Sequence, residues 1–267
     1  MVVLKPQVHG MTAMSDDENE RRILAEFVDE VRDTVASLQV LLENMRSRSV
    51  PAAEGMITLQ RTAHNLKTAG HAVSSPLIKL ITHRLTEYVA DIKAPTLQQI
   101  DEVQIFVDKI QAVLDGDLVD EADAVPVVRS LPAKRANDID FKIELKNIEV
   151  LLVVPEKAMG RIVERELRAC GYRTSNVHDA FVALETAART QPDMIIASME
   201  LPLISGIDLI CALTSMSVTE DIPCALLTSY DYGSPKLKGL PPRAGIIRKG
   251  GKFGDDLAEV LARFSIT

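Results

Sequence analysis

The chain of 267 residues has no tryptophan, 4% aromatic residues and three cysteines. Cys170, Cys211 and Cys224 are odd in number, widely spaced and set in apolar segments, which predicts buried thiols rather than a disulfide framework, a metal site or a nucleophile. Long apolar runs are missing as well. The strongest, Val150 to Val154, falls far short of the roughly 20 residues of a membrane span, and no secretory apolar stretch opens the chain. Positive charge is not in excess: 30 basic residues against 38 acidic give a formal charge of −8, which offers no electrostatic footprint for nucleic acid or an anionic membrane. What is present is 46% hydrophobic residues, enough for packed cores. These limits predict a cytoplasmic globular protein of about two domains.

Residues 1–14 show no periodicity and read as a mobile tail. Ser15 and Glu18 have the spacing of a capping box, which predicts a helix start. Leu24, Val28, Val31, Val35, Leu38, Leu42 and Met45 then recur at spacings of four and three, an apolar stripe down one long helix. A second helix follows Pro51 with Met56, Leu59, Ala63, Leu66 and Val73 inward, and a third follows Pro76 with Ile78, Ile81, Leu85, Val89 and Ile92 inward. A fourth runs from Thr96, paired with Gln99 in another capping box, through Ile100, Val103, Val107, Ile110 and Leu114 to Gly116. Short connections favour antiparallel neighbours, so residues 15–116 predict an up-and-down four-helix bundle.

From 117 to 147 the pattern dissolves into acidic residues, Pro126, Pro132 and the basic pair Lys134 and Arg135, and this stretch reads as a linker. Beyond it, over 148–267, short apolar runs at 149–154, 194–199, 223–228 and 244–248 alternate with amphipathic stretches at 158–170, 179–190, 205–216 and 254–264. That alternation predicts a doubly wound parallel sheet covered by helices on both faces.

The inward set of the second helix leaves Gln60, Arg61, His64, Lys67 and His71 on its polar side. A neutral imidazole is a competent nucleophile near neutral pH, and an ammonium three residues on, sharing its face, offsets charge on a phosphoryl group bound to it. His71 has Ser74 rather than lysine at that spacing and reads as an ordinary surface residue. The segment Ala63-His64-Asn65-Leu66-Lys67-Thr68-Ala69-Gly70 resembles the His-x-Leu-Lys-Gly signature of histidine phosphotransfer (HPt) domains, which are four-helix bundles. Pro76 and His83-Arg84-Leu85 continue the likeness to the chemotaxis-kinase type. The resemblance implies that His64 is the phosphoacceptor, Lys67 its charge partner and His83 a neighbour on the facing helix. Two positions depart from it: Thr68 replaces the signature glycine, and Thr86 stands where that type has a glutamate, with Glu87 displaced by one residue, about 100° around the helix. The same segment is similar to the phosphoacceptor helix of histidine kinases, with Ala69 at the expected proline. No nucleotide-binding domain follows, so autophosphorylation from ATP is not expected.

Residues 148–265 resemble response-regulator receiver domains, a five-stranded flavodoxin-like fold. Val150 to Val154, Cys170-Gly-Tyr172, Leu201-Pro202, Gly206, Thr228 and Lys249 carry the likeness. Receiver chemistry needs a carboxylate pair for Mg²⁺ and a third carboxylate as phosphoryl acceptor. The pair falls on Val154-Pro155 or Pro155-Glu156, and the acceptor position is Ser198, so at most Glu156 survives. Thr228 and Lys249 match the phosphate-contacting residues of receivers and read as structural remnants. Ile246 replaces the switch aromatic, and the glycines and prolines of 230–243 oppose a regular fourth helix. The resemblance implies a pseudoreceiver.

The leading expectation is a phosphorelay intermediate of a bacterial two-component system. His64 would shuttle phosphoryl between receiver domains of response regulators or hybrid histidine kinases, with no resident cofactor because the partner receiver's site supplies Mg²⁺. The alternative is a phosphorylation-independent adaptor for a histidine kinase or response regulator.

Overall fold

The computed structural model describes residues 11–72, 75–119, 124–134 and 146–266, with side chains described from Arg22 onward apart from Leu24, His71 and Ala72. The chain divides into two compact units, Met1–Asp123 and Ala124–Thr267. In the first, α1 (Met11–Arg46), α2 (Ala52–Ala72), α3 (Pro76–Val89) and α4 (Leu97–Leu114) touch in the order α1, α2, α3, α4 and back to α1. The stripes spaced by three and four supply the contact faces: Val31, Val35, Leu38, Leu42 and Met45 from α1 and Met56, Leu59, Ala63 and Leu66 from α2 are buried. They meet Ile78, Ile81, Leu85 and Val89 of α3 and Ile100, Val103, Phe106, Val107 and Ile110 of α4. Local signals end the helices where they are written. Thr96 and Gln99 form the reciprocal capping box of α4, Ser75 Oγ accepts from Ile78 N to cap α3, and Gly116 takes φ +80 just beyond α4.

The first boundary differs from the expectation. Helix α1 is already formed at Met11, so Ser15 lies inside it instead of capping it, and residues 11–14 are not a tail. Neither proline nor glycine stands between Met11 and Ser15, so no residue there breaks a helix. Residues 1–10, Val73 and the side chains of Leu24 and His71 lie outside the described residues.

The second unit contains α5 (Ala124–Ser130), β1 (Glu149–Val153), α6 (Lys157–Ala169), β2 (Arg173–Val177), α7 (Ala180–Thr190), β3 (Met194–Ser198), α8 (Gly206–Leu213), β4 (Cys224–Thr228), β5 (Gly245–Arg248) and α9 (Phe253–Arg263). Every strand pair is parallel and the order is β2-β1-β3-β4-β5, the flavodoxin-like doubly wound arrangement. The period of two divides the strands between two cores. Val150, Leu152, Met194, Ile196, Ala225 and Leu227 pack with α6 and α9, while Leu151, Val153, Ile195, Ala197 and Leu226 pack with α7 and α8. Between β4 and β5 the chain forms only a 3₁₀ turn at Pro235–Leu237, as its glycines and prolines predict.

The linker expected over 117–147 is not one throughout, because Ala124–Ser130 is helical and belongs to the second unit. Val127, Val128 and Leu131 are buried, and Arg173 donates to Val128 O (3.1 Å) and Leu131 O (2.7 Å). Pro126 reads as a breaker in isolation, yet it falls in the first turn, where a missing N–H breaks no intrahelical bond. Residues 120–123 and 135–145 lie outside the described residues. The cysteines also divide: Cys224 is buried as expected, Cys211 is half-buried, and Cys170, at the end of α6, is exposed.

Candidate functional site

Ala63 and Leu66 turn into the core of the first unit, and that fixes the rotation of α2: His64 is exposed and Lys67 half-buried. Among the described residues none hydrogen-bonds the His64 imidazole. Its backbone is held instead. Thr86 Oγ1 donates to Thr82 O (2.8 Å) and to Ala63 O (3.4 Å), joining α3 to α2 beside the histidine. The Thr68 hydroxyl, exposed where the signature has glycine, folds back to donate to His64 O at 3.1 Å. Gly70 lies where α2 and α3 meet, and a Cβ there would lie 3.2 Å from Ile78 Cγ2.

Lys67 and His83 are brought together across α2 and α3, with Lys67 Nζ 3.1 Å from His83 Nδ1. An ammonium has protons and no lone pair, so Lys67 donates, Nδ1 accepts and the ring proton resides on Nε2. That nitrogen lies 3.7 Å from Glu87 Oε2. Glu87 thus engages His83, one turn back on its own helix, and not His64. The sequence shows the displaced glutamate but not its partner, because the link depends on the rotation of α3 about its axis. A groove between α1 and α2, lined by Glu26, Asp29, Glu30 and Asp33 with Asn65, is acidic.

In the second unit the carboxyl ends of the strands converge on a different arrangement. Ser198 ends β3 and is 1% exposed. Lys249 follows β5, its N–H donating to Thr228 O at 2.8 Å. Its ammonium lies 3.3 Å from Glu200 Oε2 and 3.9 Å from Glu156 Oε1. Glu200, two residues past Ser198 in the loop after β3, escapes sequence reasoning because no periodic pattern marks it. Thr228 Oγ1 donates to Met199 Sδ (3.2 Å) and accepts from Tyr230 N (3.2 Å). These residues do not fit a hard divalent cation: Val154, Pro155 and Ser198 offer no carboxylate, and Glu156 and Glu200 turn to the Lys249 ammonium. Among the described residues no group of three or more histidine, cysteine, aspartate or glutamate side chains could hold a metal ion, and no helix is long and apolar enough to cross a membrane.

No family model matches the chain. Over 94 residues it is 29% identical to the response regulator MprA of Mycobacterium ulcerans, covering 35% of this chain and 40% of that protein. Over 91 residues it is 30% identical to the transcriptional regulatory protein PrrA of Mycobacterium leprae, covering 34% and 38%. The match therefore spans about two fifths of the length of these curated relatives. Among solved structures, the receiver domain of the sensor histidine kinase PA1611 from Pseudomonas aeruginosa PAO1 aligns with a TM-score of 0.40 and 21% identity, over 44% of this chain and 98% of that one. Strand order, parallel pairing and the curated relatives agree on one coarse conclusion: the chain carries a receiver-like domain of the kind found in two-component signalling proteins.

Proposed function

We propose that the chain is a histidine phosphotransfer protein of a two-component phosphorelay. In this reading the first unit is an up-and-down HPt bundle, His64 the phosphoacceptor and Lys67 its charge partner. The receiver-like unit serves docking or regulation without being phosphorylated itself. The observation that carries the reading is the exposed His64 beside a lysine already tethered to the facing helix at His83. The exposed imidazole attacks an aspartyl phosphate on a partner receiver, whose own site supplies Mg²⁺, and the Lys67 ammonium neutralises part of the charge on the transferred group. Partners are accordingly receiver domains of response regulators or hybrid histidine kinases. The test is transfer from phosphorylated receivers to the full chain. Labelling is expected in the wild type and absent in His64→Gln; label that persists in His64→Gln removes His64 from the role.

The adaptor reading has one observation of its own. Lys249 is engaged by Glu200 and Glu156, an arrangement suited to a domain that binds without cycling through a phosphorylated form. Full binding of a kinase or regulator by His64→Gln, with no labelling of the wild type, decides for it.

A further inference from the structure

The chain of contacts from Lys67 through His83 to Glu87 extends the phosphoacceptor reading of His64, on which this inference rests. His64 and Lys67 are three residues apart on α2, a spacing that places their Cβ atoms about 5–6 Å from each other on one face. A solvated lysine loses rotamer freedom when it takes hold of a phosphoryl group. Lys67 is half-buried and already commits one N–H to His83 Nδ1 at 3.1 Å, so part of that ordering precedes the arrival of phosphoryl. Its other two N–H groups remain to meet phosphoryl oxygens. His83 holds the lysine only while Nδ1 keeps its lone pair. One proton from water, bound at Nδ1, turns the ring into a cation that cannot accept from Lys67 and repels it, and no other bond changes. Among the described residues, Lys67 of α2 and Glu87 of α3, 3.7 Å from Nε2, are charged groups that face the ring.

We propose that His83 is a proton-sensitive positioning residue: neutral, it holds the Lys67 ammonium toward a phosphoryl group on His64, and protonated, it turns to Glu87 and releases Lys67. Phosphoryl uptake then falls further on acidification than it does in a variant whose residue 83 cannot titrate. Glu87 acts on the site at two removes, through His83 and Lys67, in place of a direct bond to the acceptor imidazole.

Two measurements on the full chain test this. With ¹⁵N-labelled histidine, two-bond correlations report the tautomer and titration of His83 without any transfer reaction. The expected result is the Nε2–H tautomer at about pH 8, a higher His83 midpoint in Lys67→Met and a lower one in Glu87→Gln. The Nδ1–H tautomer in the wild type, or midpoints indifferent to both substitutions, overturns the proposal. In the second measurement phosphoramidate, a small phosphodonor, labels His64, with His64→Gln as the blank. His83→Ala is expected to slow uptake by roughly fivefold at about pH 8, and His83→Gln, which keeps an acceptor but does not titrate, to recover most of that loss. On acidification the wild-type rate is expected to fall roughly fivefold further than that of His83→Gln. Wild-type and His83→Gln rates that fall in parallel on acidification, or His83→Ala at the wild-type rate, overturn the positioning role. Absence of label on wild-type His64 removes the phosphoacceptor reading and this proposal with it, while the tautomer measurement still reports whether Lys67 and His83 are coupled.

Discussion

A Cβ added to Gly206 would lie 2.1 Å from the Ser198 carbonyl oxygen and 3.0 Å from Leu226 Cδ1. The first of these is backbone at the end of a central strand and cannot yield. Gly206→Ala is therefore expected to destabilise the second unit by about 3 kcal/mol, read as a lower denaturant midpoint. Gly70→Ala differs, since its closest neighbour is a side chain, Ile78 Cγ2 at 3.2 Å, and the gain in helix propensity of about 1 kcal/mol offsets the crowding. Its midpoint is expected to move little. The buried Asp256 shows a different dependence. Hydrogen bonds from Arg248, including Nε at 2.7 Å and Nη2 at 2.7 Å, hold its carboxyl below the ordinary aspartate value. A carboxylate whose value is depressed on folding stabilises fully above its unfolded value, near 3.9, and that contribution is lost as pH falls through the folded value. Melting between about pH 2.5 and 6 is expected to show an acid loss in the wild type that is reduced in Asp256→Asn, whose melting point at neutral pH is already several degrees lower. The cysteines separate by burial: desolvation pushes the Cys224 thiol up to about 12, so a neutral-pH alkylating reagent is expected to modify the exposed Cys170 and spare Cys224 in the native protein.

Among the elements, α5 joins buried apolar contacts to a polar clamp. Arg173 binds carbonyls at its C-terminal end and lies 3.4 Å from Glu149 Oε2, while Arg129 pairs with Asp193 at 3.1 Å. Asp193 in turn accepts from Glu149 N at 2.8 Å, so the clamp reaches the first residue of β1. Limited proteolysis is expected to leave residues 124–134 attached to the second unit in the wild type and to shorten that fragment in Arg173→Ala, where a buried glutamate loses its guanidinium and two carbonyls lose their donor. Cleavage inside 124–130 of the wild type would show that the helix is not held. The sequence reading missed this element because seven residues are too few for a helical period, and because proline and charge around it resemble a linker. The longer helices were legible for the opposite reason. Two turns or more of spacing by three and four cannot occur on α1 to α4 without defining a face.

For the whole molecule, each unit encloses its own core, so segments 1–119 and 124–267 are expected to fold when expressed separately, the second with the heat-capacity change of a packed domain. The expressed second unit is expected to take no label from a small phosphodonor with Mg²⁺. Ser198→Asp alone is expected not to rescue it, because the acid pair is absent and Lys249 remains engaged by Glu200 and Glu156. Robust labelling of the wild-type unit would mean that the acceptor lies elsewhere.

Local chemistry written along the chain was enough to place most strands and helices, the exposure of His64 and the absence of carboxylates at Val154, Pro155 and Ser198. Periodicity, capping and residue type act over about four residues and do not wait for the fold. Which groups meet was decided only when the elements packed. Lys67 reaches His83, Glu200 reaches Lys249, and Arg173 reaches the end of α5 across 16 or more positions of sequence, which no local pattern encodes. Charge pairing falls off steeply with distance in water, so one residue of helix rotation or one strand of sheet order is sufficient to change a partner.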